Sequence, residues 1–217
     1  MPLSDELNKI RSDAVKASPE ATAKFGQAIE DLSRSGIAAR SLKSGDLVPE
    51  FSLPNAKGKV VTLKETLSAG PVIVSFFRGG WCVFCTAELR ALQNALSEMA
   101  ALDTHLIAIS PQTPDASLAT VEDLELSFEV LSDSGNQVAR QFGIVYHVED
   151  ELQTIYKELG LSLPEQNNDH SFDLPVPATY VIDQSRKIRS AFVDADYTRR
   201  LDPVEILSVL RKLKAES

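Results

Sequence analysis

Two cysteines, one tryptophan and three histidines are all that 217 residues contain of those types. Basic residues are also short: 22 Lys and Arg stand against 31 Asp and Glu, for a net charge of −9. Phosphate backbones and anionic membranes are bound by neutralising Lys and Arg, so neither nucleic acid nor a membrane surface is an expected partner. No run of about twenty apolar residues exists, so no membrane-spanning helix is expected. The opening "MPLSDELNKIRSDAVK" alternates charges and has no apolar centre, so it does not read as a secretory signal. The expected location is the cytoplasm. In that reducing compartment a close cysteine pair is read as catalytic or metal-binding rather than as a staple. A hydrophobic content of 43% is ample for a core.

Residues 1–43 read as a helical, polar N-terminal extension. Leu3, Leu7, Ile10 and Ala14 fall at helical spacing, and a second run from Ala21 to Leu32 follows Ser18 as a cap and Pro19 in the first turn. Gly36 suits its end. The extension either packs on the main domain or serves an oligomer contact. From Ser44 the texture changes and a single domain, 44–217, is expected. "SGDLVPEFSLPNAKGKVVTL" reads as a β-hairpin around "NAKGK". "PVIVSFF" (Pro71–Phe77) and "THLIAIS" (Thr104–Ser110) are continuous apolar runs suited to buried parallel strands. Between them Leu89, Leu92, Leu96 and Met99 mark a helix. Strand, helix and strand make a parallel βαβ unit, for which a right-handed crossover is expected.

Thr113 with Pro114 starts a further helix. "FEVLSD" reads as a short strand and "NQVARQFG" as a short helix. Residues 145–176 are too long for an ordinary connection, and read as an insertion near a functional face with a helix over Val148–Leu159. "ATYVID" and "KIRSAFV" flank the turn "QSR" as an antiparallel pair. The closing helix "DPVEILSVLRKLK" is capped by Asp202. The fold class is α/β, a central mixed sheet flanked by helices.

The chemistry concentrates in "SFFRGGWCVFCTAELRAL", Ser75 to Leu92, which holds both cysteines and the tryptophan. A strand, a Gly-Gly loop and a helix place Cys82 and Cys85 in the first helical turns. Residues i and i+3 share a helical face, with Cα atoms roughly 5–6 Å apart, within disulfide range. The helix N-terminus favours a thiolate over a thiol, whose ordinary pKa is about 8.5. One thiolate attacks and its neighbour resolves the intermediate as a disulfide. So short a loop removes little chain entropy when closed, which makes a poor staple and argues for redox work. Two inert buried cysteines would fit the composition as well. A zinc site needs about four ligands, and His105, His147 and His170 have no companion spacing. No metal or organic cofactor is expected.

Taken together these residues resemble a thioredoxin-fold protein, and more closely a peroxiredoxin of the alkyl hydroperoxide reductase/thiol-specific antioxidant (AhpC/TSA) family. The resemblance runs from about Ser44 to the C-terminus. "GDLVPEFSLPNAKGKVVTL" resembles the family's opening, and "CTAE" (Cys85–Glu88) its peroxidatic cysteine followed three residues later by Glu. "PATYVID" resembles the strand opening the second half. The resemblance therefore identifies Cys85 with the peroxidatic position. It also shows departures. In the family's Pro-x-x-x-Thr-x-x-Cys, Arg78 stands at the Pro and Cys82 at the Thr. The Arg before the second-half strand is replaced by Pro177, which by thioredoxin resemblance would be a cis-proline facing the pair, and otherwise an ordinary trans-proline ending a loop. "WCVFC" resembles the thioredoxin motif, a mixture found in the CxxC-bearing peroxiredoxin-like subgroup.

The resemblance implies a thiol-dependent peroxidase for hydrogen peroxide or organic hydroperoxides. Cys85 would form a sulfenic acid, Cys82 would resolve it, and an external donor, thioredoxin or a small thiol, would recycle the disulfide. The missing Thr and Arg imply weaker activity than a typical member. The alternative is a thiol–disulfide oxidoreductase with Cys82 attacking and Cys85 resolving; a third reading is a redox sensor that only borrows the fold. A homodimer stays open. Among supporting candidates, Arg78 either lowers a cysteine pKa and stabilises the leaving oxygen, or is a solvated loop cation. Glu88 either orients an Arg or is an ordinary first-turn charge. Trp81 either shields the site or simply packs. Tyr197, Arg199 and Arg200 in "DYTRR" could supply a replacement cation, and nothing in the sequence selects one.

Overall fold

Continuous apolar runs become strands buried on both faces. The computed structural model describes residues 2–216. Its first elements are the helices α1 (Leu3–Ala17), α2 (Pro19–Arg34) and short α3 (Ile37–Arg40), then the hairpin β1 (Ser52–Pro54) and β2 (Val60–Thr62), and helix α4 (Leu63–Ala69). Strand β3 (Val72–Phe76), helix α5 (Val83–Ala100) and strand β4 (His105–Ser110) form the βαβ unit. There follow α6 (Pro114–Asp123), β5 (Glu129–Ser132), α7 (Gln137–Gln141), β6 (Val145–His147), α8 (Asp150–Glu158), α9 (Leu163–Asn167) and β7 (Asp173–Pro175). Strands β8 (Ala178–Ile182) and β9 (Ile188–Val193) and helix α10 (Pro203–Ala215) close the chain.

The central sheet has the order β5-β4-β3-β8-β9. Its first three strands are mutually parallel, and β8 runs antiparallel to both β3 and β9. All five residues of β3 are buried, which is why its sequence reads as an unbroken apolar run. Alternation still sorts its side chains. Ile73 packs with Leu92, Met99 and Leu207 of α5 and α10 on one face. Val72, Val74 and Phe76 point the other way, toward Phe51, Leu63 and Phe142. Thr113 caps α6 by accepting from Ala116 N, and Asp202 caps α10 by accepting from Val204 N. Ser18 sits at the start of α2, but its side chain makes no capping bond.

The 145–176 segment is more ordered than its polar sequence suggests. Strands β6 and β7 pair antiparallel at its base, and the expected single helix is α8 followed by the separate turn α9. The N-terminal helices join the same body. Leu3 and Leu7 are buried in one cluster with Phe84, Cys82 and Cys85, and Arg11 Nη2 donates to Thr198 Oγ1 at 2.6 Å. The expectation of a cis-proline fails: among the described residues every peptide bond is trans, that before Pro177 included. Val176 N donates to Ile144 O at 2.7 Å, so the chain runs straight from the β6–β7 pair toward β8. The residue before a proline already prefers that extended shape, and trans is the favoured isomer. Among the described residues no helix is long and apolar enough to cross a membrane.

Candidate active site

The site lies where β3 hands over to α5. Two glycines make the turn because nothing larger fits. Gly79 has φ +150°, and a Cβ there would lie 2.3 Å from Trp81 Nε1. A Cβ on Gly80 would lie 2.2 Å from Thr120 Oγ1 of α6, and Gly80 N donates to Gln112 Oε1 at 2.8 Å. Gly80→Ala is therefore expected to lose about 1–3 kcal/mol of stability through overpacking. Urea denaturation of the reduced protein checks this; an unchanged midpoint would mean that α6 yields without cost.

Cys82 is the N-cap residue of α5, and its carbonyl accepts from Cys85 N (2.8 Å) and Thr86 N (3.0 Å). Both sulfurs are buried and unbonded to each other. Each has its own guanidinium. Arg78 Nη2 donates to Cys82 Sγ at 3.2 Å, and Arg200 Nη2 donates to Cys85 Sγ at 3.3 Å. The two arginines differ in one respect. Arg200 forms a buried ion pair with Glu88 (Nε to Oε2, 2.5 Å), and Glu88 also accepts from Thr179 Oγ1 at 3.3 Å. Burial lifts the Glu88 carboxyl somewhat, and Arg200 opposes that lift.

Arg78 has no such carboxylate among the described residues. It is 4% exposed. Its Nη1 donates to Tyr156 Oη at 2.9 Å and to Tyr146 Oη at 3.5 Å, and its Nε is a buried donor without a partner. The guanidinium carbon lies 3.8 Å from the Tyr197 ring centroid and 5.1 Å from that of Trp81. Faces of aromatic rings attract a cation but carry no charge. The Tyr156 and Tyr197 phenols stay neutral, since burial raises the Tyr156 pKa and pushes that of Tyr197 up to about 12. An unpaired buried charge is costly. The group that can balance Arg78 is the Cys82 sulfur as a thiolate. Burial opposes its ionisation, and the hydrogen bond from the Cys85 thiol together with Arg78 and Arg200 overcomes it, so the Cys82 pKa falls well below the ordinary thiol range. Burial, and then the hydrogen bond and charge of Cys82, push Cys85 well above it.

A cavity of about 530 Å³ opens onto this site. Cys82, Arg78 and Trp81 border it, with Ala14, Ala17 and Phe25 opposite. Cys85 is fully covered and is not among its walls. A cleft of about 610 Å³ beside β4 and β5 borders neither sulfur.

The structure brings Cys82, Cys85, Arg78, Trp81 and Glu88 together. Arg78 is no solvated loop cation, and Glu88 does hold an arginine. Pro177 precedes Ala178, which pairs with Phe76 at the exit of β3. Of the three "DYTRR" candidates, Tyr197 and Arg200 reach the site, whereas Arg199 is exposed and pairs with Asp194 at 3.3 Å. Tyr146, Tyr156 and Phe25 were not foreseen; their only signal was the length of the 145–176 insertion and the amphipathic run of α2.

Residues 44–191 match the AhpC/TSA family, beginning where the sequence changes texture. Peroxiredoxin Bcp of Escherichia coli K12 is 32% identical over 103 residues, which are 48% of this chain and 65% of the relative's length. The chain thus spans just under two thirds of that relative. A putative peroxiredoxin of Mycobacterium tuberculosis is 25% identical over 174 residues, 80% of this chain and 99% of the relative. The fold is shared with the crystal structure of peroxidoxin BcpB from M. tuberculosis, at a TM-score of 0.63 and 24% identity over 79% of this chain and 98% of that one. It is also shared with a yeast mitochondrial 1-Cys peroxiredoxin, at 0.62 and 19% over 80% and 77%. With the family match covering well over half of its length, and a five-stranded mixed sheet delivering a cysteine pair to the start of a buried helix, the chain belongs to the AhpC/TSA family.

Proposed function

We propose that the protein is a thiol-dependent peroxidase in which Cys82 attacks and Cys85 resolves. The observation that carries this is Arg78, buried without a carboxylate and hydrogen-bonded to Cys82 Sγ. First attack thus goes to Cys82 in place of Cys85, the residue that the resemblance picks out. The Cys82 thiolate attacks one peroxide oxygen, the O–O bond breaks, and Cys82 becomes a sulfenic acid. The other oxygen leaves as hydroxide or alkoxide and takes the proton of the Cys85 thiol. The new Cys85 thiolate is stabilised by Arg200. It attacks the Cys82 sulfur, forms the disulfide and expels hydroxide, which leaves as water after taking a proton from solvent. Two electrons pass to the peroxide, and an external thiol donor returns them. One arginine per sulfur lets the negative charge move between them, and Arg200 supplies the cation absent at Pro177. We place this chemistry in the cytoplasm, where thiol donors are abundant.

The test is to mix fully reduced protein with one equivalent of hydrogen peroxide and follow Trp81 fluorescence by stopped flow. A change at least 100-fold faster than the oxidation of free cysteine at the same pH is expected. A change no faster than free cysteine would overturn the peroxidase reading. It would favour the second one, thiol–disulfide exchange, which has its own support: an incoming disulfide meets Cys82 at the cavity, never Cys85. Reduction of a protein disulfide would then be measured.

A further inference from the structure

One side of the cavity at Cys82 is built by residues outside the family segment. Ala14 and Ala17 end α1, Ala21 and Phe25 belong to α2, and Tyr197 follows β9. These helical positions recur at three and four residues, so one face of the N-terminal pair looks onto the sulfur. The wall is held in place. Phe25 packs against the rings of Tyr156 (5.4 Å between centroids) and Tyr197 (6.4 Å), and Leu3 and Leu7 anchor α1.

Its chemistry is one-sided. Apart from Arg78 and the Cys82 sulfur, no charged side chain among the described residues borders the cavity. The Thr22 hydroxyl on its wall is already used, donating to Ser18 O at 2.8 Å. At the mouth stand Val83, 56% exposed, and Leu159, 67% exposed. A molecule the size of water takes about 30 Å³ in the liquid, so hydrogen peroxide would fill little of the 530 Å³ present. Pockets that bind small organic molecules are of this size and this apolar. The polar end of the occupant is fixed by the floor, where the Cys82 sulfur and Arg78 lie.

We infer that the N-terminal helical pair builds a subsite for the hydrocarbon body of an organic hydroperoxide, and that this subsite sets a preference over hydrogen peroxide. The inference rests on the peroxidase reading. The measurement is kcat/KM for cumene hydroperoxide divided by kcat/KM for hydrogen peroxide, in wild type, Ala17→Phe and Ala14→Phe. Both alanines are exposed on α1, so the larger ring fills the cavity without entering the core. The ratio is expected to fall at least fivefold in one or both variants. Turnover with a ratio unchanged within twofold in both overturns the subsite and leaves the peroxidase reading standing. So does an unchanged ratio accompanied by a raised KM for a protein dithiol, which would give this face to the reductant. Absence of turnover with either peroxide in the wild type overturns the activity and the substrate class with it.

Discussion

Cys82→Ser is expected to abolish the fast reaction with peroxide, and Cys85→Ser to preserve it. In Cys82→Ser the remaining thiol is fully buried, lies off the cavity and faces an arginine already paired with Glu88. The charge of Cys82 no longer lifts Cys85 in this variant, but burial, the first cause of that lift, remains. A buried thiol kept off the cavity is a poor nucleophile, so a fall of at least about 100-fold is expected. In Cys85→Ser the serine hydroxyl can still donate to Cys82, and Arg78 is untouched. Attack should stay within a few-fold of wild type and stop at the sulfenic acid. Trapping with dimedone and locating the adduct by mass spectrometry separates the two cases. A dimedone adduct on Cys85, formed at wild-type speed in Cys82→Ser, would return the attacking role to the position chosen by family resemblance.

Arg78→Met is expected to have the second-largest effect, through the same charge. Methionine fills much of the same space and removes the cation that faces Cys82. The thiol then returns toward its ordinary pKa of about 8.5, at which only a few per cent is ionised at pH 7, so the peroxide rate there should fall about 30-fold. The loss should shrink as pH rises, because alkali restores the thiolate without the arginine. The alkylation rate of Cys82 against pH, measured in the Cys85→Ser background, reads this directly. A pH profile that does not move in Arg78→Met would remove the argument for Cys82. Stability follows the same sign. A thiol whose pKa is depressed in the folded state contributes stability that is fully present above its unfolded pKa and is lost as pH falls through the folded one. Reduced wild type should therefore weaken on acidification below the ordinary thiol range, and Arg78→Met should lack that component. Arg78→Lys should recover part of both effects, since it keeps the charge but not the planar fork that reaches a phenol and a sulfur together.

Much of the scaffold was legible because its signals are local. An apolar run such as "PVIVSFF" has nowhere to go but a doubly covered strand, and Thr113-Pro114 and Asp202-Pro203 announce helices through bonds made within one turn. The cis-proline expectation failed because it was carried over from thioredoxins, whereas the peptide here continues an extended strand. The role of the insertion was invisible for a different reason. Nothing in residues 145–176 says that Tyr146 and Tyr156 fold back onto a cation some seventy positions earlier. Arg200 shows the same gap: its distance of 112 residues from Glu88 hides an ion pair that a resemblance could suggest but not locate.

The sequence by itself determined that two sulfurs three residues apart would meet at the start of a buried helix, since strand burial and helical period act between near neighbours, although Cys82 is the extended N-cap and not, as expected, part of the first helical turn. Which sulfur carries the charge was decided only by the tertiary structure. Burial sets the cost of an unpaired ion, and only folding shows that Arg200 finds a carboxylate while Arg78 finds two phenol hydroxyls, the faces of aromatic rings and Cys82.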